Sequence, residues 1–214
     1  MIEYNRHIKE YLNYNHSSFS NLIPEGEWGN TGLAEIYLQK YWLAEEEYKE
    51  KWKSIQDKIF NQEVGLPDLV YRPEFEMIAL KGGCLFAEED FNQLQKVMQE
   101  IGNEHFVVIQ YSQELTEGEP MFRMKFPVNI TWDELTSGNY ISAVLLEMSY
   151  NEYYVFSESE NWGKYSANDY EQPLDIIGFR PEYECVFRKQ FEQSKEEQEE
   201  IREWLPPKYK GTIK

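Results

Sequence analysis

Two cysteines are all that the 214 residues contain. Two thiols allow one bridge at most, so a disulfide framework is excluded. Cys84 stands in Cys-Leu-Phe-Ala and Cys185 in Glu-Cys-Val-Phe. Both are read as buried, reduced small hydrophobes. Cationic charge is equally scarce: 21 Lys and Arg face 39 Asp and Glu, a net charge of −18. Such a surface repels phosphate, so neither nucleic acid nor an anionic membrane is expected as a partner. No apolar run approaches the ~18 residues of a membrane span. The stretch from Met1 to Glu10 has no apolar h-region, so no secretory signal is read there. The expected location is cytoplasmic and reducing. No linker rich in Gly or Ser and no internal repeat divides the chain.

Aromatics, in contrast, are plentiful, with 6 Trp, 16 Tyr and 12 Phe. A disordered acidic chain is poor in such residues, so this one is expected to fold. At about 150 residues per domain, the length fits a single domain over 1–214. Within it, 1–65 reads as a helical N-terminal part and 74–214 as a sheet-containing part.

Hydrophobic spacing places the elements. Ile2, Tyr4, Ile8, Tyr11 and Leu12 suggest a short helix over 2–14, followed by a loop over 15–32. Leu33, Tyr37, Tyr41, Ala44, Tyr48, Trp52, Ile55 and Ile59 recur every three or four residues. That stripe predicts one long helix over 33–60. Strands are read at 76–80, 84–86, 106–109, 121–126, 141–147, 150–157 and 174–179. A middle helix covers 88–101, with Gly102 as its C-terminal cap. Thr131-Trp132-Asp133-Glu134 fits a capping box ahead of a short helix at 132–137. Pro181 suits the first turn of a last helix over 181–205. Residues 158–173 mix aromatic and polar side chains and read as a loop. Helices and strands do not alternate strictly. The expected fold is therefore α+β, a mostly antiparallel sheet of about five to seven strands packed by the three long helices.

Enzyme signatures are missing: no phosphate-binding GxxxxGK[ST], no GxGxxG, no GxSxG and no HExxH occurs. His7 and His16 lack zinc-ligand spacing, and there is no Cys-x-x-Cys. His105 reads as an ordinary strand-end histidine. No catalytic residue, cofactor or metal ligand is assigned.

What remains is the placement of charge. Acid clusters at Glu45-Glu46-Glu47, at Glu88-Glu89-Asp90, around Glu158 and Glu160, and from Glu192 to Glu203. One reading is a solvated surface with i,i+4 pairing. The other is a docking surface that steers a basic partner, with aromatics as anchors. Its expected residues are Glu158, Glu160, Trp162, Tyr165, Tyr170, Glu196, Glu197 and Glu200.

The runs Tyr153-Tyr154-Val155-Phe156, Trp162-Gly163-Lys164-Tyr165 and Pro173-Leu174-Asp175-Ile176-Ile177-Gly178-Phe179 carry a resemblance. They resemble the strand-rich C-terminal portions of small cytoplasmic bacterial immunity proteins encoded beside secreted polymorphic toxins. The resemblance implies an acidic α+β domain without catalytic residues. The leading expectation is thus a non-enzymatic, acidic binding protein, of the immunity type, that occludes a basic partner protein. A second reading is a hydrolase with a carboxylate and aromatic site acting on sugars, Trp162 and Tyr165 being its stacking platform. A third is a structural domain whose aromatic helix packs against a copy of itself.

Overall fold

The computed structural model describes residues 31–61, 64–111, 122–138, 141–142, 146, 152–167 and 172–213. The helix read over 2–14 and the side chain of Tyr170 lie outside them. The chain forms a single α+β domain. Its sheet joins β1 (Glu76–Lys81), β2 (His105–Tyr111), β3 (Arg123–Pro127), β4 (Glu152–Ser157), β5 (Trp162–Ala167) and β6 (Leu174–Phe179). The spatial order is β1-β6-β5-β4-β2-β3, and every neighbouring pair is antiparallel.

Side chains alternate across each strand, and helices cover both faces of the sheet. On face A lie α1 (Thr31–Tyr41), α4 (Glu88–Glu100), α5 (Trp132–Leu135) and α6 (Glu184–Gln190). Tyr37, Tyr41, Phe91, Leu94, Val97, Leu135 and Phe187 meet Phe106, Phe126, Val155, Trp162 and Phe179 there. On face B a helical run comprises α2 (Glu45–Glu47), a π-helical stretch (Tyr48–Trp52) and α3 (Lys53–Ile59). With α7 (Lys195–Trp204) it buries Trp52, Ile55, Ile59 and Ile201 against Ile109, Phe156, Tyr165 and Ile176.

The two long helices expected from periodicity are each broken, and for the same reason. The helix read over 33–60 stops at Tyr41, and Trp42 pairs with Met124 on edge strand β3 as an isolated bridge. Leu43 then donates its N–H to the Arg123 carbonyl at 3.0 Å. Trp42 belongs to the face A core and Leu43 to the face B core, so the chain rounds the sheet edge there. The helix read over 181–205 behaves alike at the opposite edge. A 3-10 turn (Pro181–Tyr183) leads into α6 on face A, and α7 follows on face B. Between them the Gln193 amide donates to the carbonyl of Ala79 on β1 at 2.8 Å. Ser194 restarts the helix through a capping box with Glu197. Both crossings blunt strand edges that would otherwise expose ladder groups.

The stripe is buried as expected at Tyr37, Tyr41, Tyr48, Trp52, Ile55 and Ile59, whereas Ala44 is half-buried and Leu33 at its start is 49% exposed. Tyr41 packs on Phe126 and Trp52 on Phe156, so this chain's own sheet covers the stripe without a second copy. Two strand expectations fail. Residues 84–85 form a bend with no strand, and Ile141, Ser142 and Leu146 are helical. The loop expected over 158–173 contains β5, because its small and polar residues conceal a strand buried on both faces.

Candidate functional site

Alternation along β5 sends Trp162 to face A and Tyr165 to face B, on opposite sides of the sheet. Both are 0% exposed. The Trp162 indole N–H donates to Asn103 Oδ1 at 2.8 Å, and its ring lies 6.3 Å from that of Phe187. The Tyr165 hydroxyl accepts the Leu66 N–H at 3.2 Å, and its ring sits 5.5 Å from Tyr154. Neither is therefore a surface anchor or a sugar platform, and the aromatic half of the expected site belongs to the core. The reason is the four-residue turn 158–161, which folds β5 straight back onto β4.

The carboxylates of the expected site are outward, but most have work inside the fold. Glu158 accepts the backbone N–H groups of Glu104 at 2.7 Å and His105 at 3.1 Å. Glu160, at a φ of 60°, pairs with Lys58 at 2.7 Å. Glu197 receives the Ser194 N–H at 2.8 Å, which holds its carboxyl below the ordinary range. Glu200 pairs with Lys81 at 2.7 Å, and the same ammonium stands 5.5 Å over the Trp204 ring. Glu196 alone of the five has neither an ion pair nor a hydrogen bond among the described residues.

Two further acids that the expected site omitted stand with it. Glu196, Glu199 and Glu203 lie at i, i+3 and i+7 on α7, all exposed. Among the described residues no Lys or Arg pairs with any of the three. Glu199 and Glu203 are like charges at i,i+4, a spacing that weakens a helix by a few tenths of a kcal/mol. The ridge therefore carries uncompensated charge. The sequence did hold the clue, a Glu repeat at helical spacing opposite Ile201.

A second set of polar groups is buried on face A and was not anticipated. Lys164, Ser166 and Asp175 are 2%, 0% and 3% exposed. Ser166 and Asp175 face each other across β5 and β6. The Lys164 ammonium lies 2.7 Å from Asp175 Oδ2 and 4.7 Å over the Phe86 ring, and it donates to the Leu85 carbonyl. The Ser166 hydroxyl donates to Asp175 Oδ1. Burial raises the Asp175 carboxyl above its ordinary value against the pull of Lys164 and Ser166. Burial likewise raises Asp90 on α4, which also feels Lys164. The ammonium thus fastens two central strands to the loop that leads into α4. Its signal in the sequence was a lone lysine between Gly163 and Tyr165, in a segment read as a loop of mixed polar and aromatic residues.

Third, Glu104, His105 and Glu158 bring one donor atom each to within 4.8 Å of one another at the start of β2. His105 opens the strand half-buried, as the sequence suggested.

The cysteines depart from expectation in part. No disulfide joins them, but Cys84 is half-buried and Cys185 is exposed. Phe187 turns inward from α6, and two residues before it on a helix lies the far side. The apolar neighbours of Cys185 therefore pointed away from its own environment.

No helix among the described residues is long and apolar enough to cross a membrane. No protein-family model, no curated protein and no solved structure matches the chain.

Proposed function

We propose that this protein is a non-enzymatic, acidic binding module of the cytoplasm that occludes a basic partner protein, in the manner of an immunity-type inhibitor. The observation that carries the reading is the exposed ridge of Glu196, Glu199 and Glu203, without internal counterions on a chain of net charge −18. Clustered carboxylates of this kind steer a cationic surface and speed its encounter. The reading differs from the sequence expectation in its contacts. Glu158, Glu160, Glu197 and Glu200 serve the fold first, and Trp162 and Tyr165 are out of reach. Trp204, half-buried at the end of α7, is the aromatic that stands beside the ridge. The runs that resemble immunity proteins are the adjacent buried strands β4, β5 and β6. That likeness supports a shared style of sheet, while the choice of a basic partner rests on the charge.

The test uses the product of a neighbouring gene that carries a basic domain. Changing Glu196, Glu199 and Glu203 together to Lys moves the net charge from −18 to −12. The variant should keep its thermal midpoint, since exposed substitutions usually cost within about 0.5 kcal/mol each. Its association rate at low salt should fall at least about tenfold, with a smaller change in dissociation. An unchanged association rate would overturn the docking role of this ridge.

A further inference from the structure

We infer that Glu104, His105 and Glu158 form a binding site for a divalent transition-metal ion, with Zn²⁺ as the best-suited probe. The argument begins with register. Phe106 pairs with Ser157, so the residues just before β2 and just after β4 share one end of the sheet. The Glu158 carboxylate is fixed there by the N–H groups of Glu104 and His105 at 2.7 and 3.1 Å. Those two bonds hold the Glu158 carboxylate beside the residues whose N–H groups it accepts. One donor atom from each of the three residues then lies within 4.8 Å of the others. Donor atoms sharing one ion stand closer, since metal–oxygen and metal–nitrogen bonds run about 2.0–2.2 Å. Binding requires the exposed Glu104 and half-buried His105 side chains to turn toward Glu158.

Charge and donor type make the case specific. Neither Glu104 nor Glu158 has a Lys or Arg ion-pair partner among the described residues, whereas Glu160 in the same turn is held by Lys58. Two carboxylates so close repel each other unless a cation lies between them. An imidazole nitrogen beside two carboxylate oxygens suits Zn²⁺ and its transition-metal neighbours, while Ca²⁺ and Mg²⁺ prefer oxygen alone. Three protein ligands leave coordination positions to water. The bound ion would pin the start of β2 to the β4–β5 turn. This site lies apart from the α7 ridge and does not depend on the partner proposal.

The experiment titrates ZnCl₂ into the full-length, metal-stripped chain and follows heat, together with the His105 imidazole resonances. The expected result is saturable binding that shifts the His105 signals. Glu104→Gln and His105→Gln should each weaken it at least about tenfold, because even outer partners of a metal site are worth 10–100-fold. CaCl₂ and MgCl₂ should bind at least about tenfold more weakly than ZnCl₂. Circular dichroism checks that both variants fold; Glu104→Gln alters only an exposed side chain and keeps the test decisive if His105→Gln misfolds. Absence of saturable Zn²⁺ binding overturns the site. So does binding that is unchanged in both variants, which would assign the ion to His7, His16 or the thiols. Equal affinity for Ca²⁺ would overturn the transition-metal assignment.

Discussion

The two faces of the sheet bury polarity in different ways. Face A holds a charged pair, Lys164 with Asp175, supported by Ser166 and the Leu85 carbonyl. Face B holds tyrosine hydroxyls bonded to backbone. Tyr71 shares its one hydroxyl proton between the Gly163 and Ile176 carbonyls at 2.8 and 2.7 Å, Tyr154 donates to Val64 at 2.9 Å, and Tyr209 to Asp68 at 2.8 Å. The difference follows from what each face must join. On face A a long, flexible lysine reaches out of β5 to a loop that has no strand to pair with. On face B Phe60 and Tyr71 lie directly on the sheet, so short rigid phenols suffice. That close approach depends on two cross-strand partners, Gly163 and Gly178. A methyl group on Gly163 would strike the Phe60 ring, and one on Gly178 the Tyr71 ring. The comparison teaches that an ion pair secures distance, whereas tyrosine and glycine together secure close approach.

The largest expected effect is on face A. Lys164→Met leaves the Asp175 carboxyl buried without its cation and should cost about 3–5 kcal/mol in denaturant unfolding. Replacing both partners, Lys164→Met with Asp175→Leu, should recover at least half of that, because a well-packed apolar pair need not be desolvated. A single variant costing under about 1 kcal/mol would mean that the ion pair is not what secures face A.

Face B should respond to added bulk. Gly163→Ala and Gly178→Ala should each cost about 1–3 kcal/mol, as overpacking does. The near-UV circular dichroism should change with them, since Phe60 and Tyr71 must tilt. A neutral Gly163→Ala would show that the ring has room that the close approach denies.

The smallest effect at neutral pH should grow at high pH. Tyr71→Phe removes one hydroxyl donor and should cost about 1 kcal/mol near pH 7. Burial raises the Tyr71, Tyr154, Tyr165 and Tyr209 hydroxyls above their ordinary value, and pushes Tyr48 up to about 12. Unfolded, each loses its proton near pH 10; folded, each keeps it to higher pH. The folded state therefore binds more protons in that window, so stability is full below pH 10 and falls as pH rises through the folded values. Face A contributes Tyr37 to the same loss. Unfolding free energy measured along an alkaline series should drop steeply, and less steeply in Tyr71→Phe. Equal slopes for the two proteins would show that Tyr71 is not titrating with the fold.

Several elements were legible from spacing because local chemistry alone specifies them. Glu88–Glu100 appears with its one apolar face and with Gly102 at a φ of 77°. The Thr131 capping box and strands β1, β4 and β6 also stand close to where their patterns lie. The Tyr37 to Ile59 stripe was read correctly as buried but wrongly as one helix. Periodicity reports that side chains are covered, and it is silent on which side of a sheet covers them. The crossing at Trp42-Leu43 became visible only once β3 stood beside it.

The acidic excess, the buried aromatic stripe and the α+β class were thus determined by the sequence itself, because each is a sum or a period along the chain. The exposure of single residues was not. Trp162 and Tyr165 are buried because a four-residue turn closes β5 between β4 and β6. Glu158 meets Glu104 and His105 because β2 and β4 pair in one register. Such contacts join residues more than fifty positions apart. Only the packing of the whole sheet decides that register, since each strand buries its apolar side chains in one alignment and would expose them one residue away.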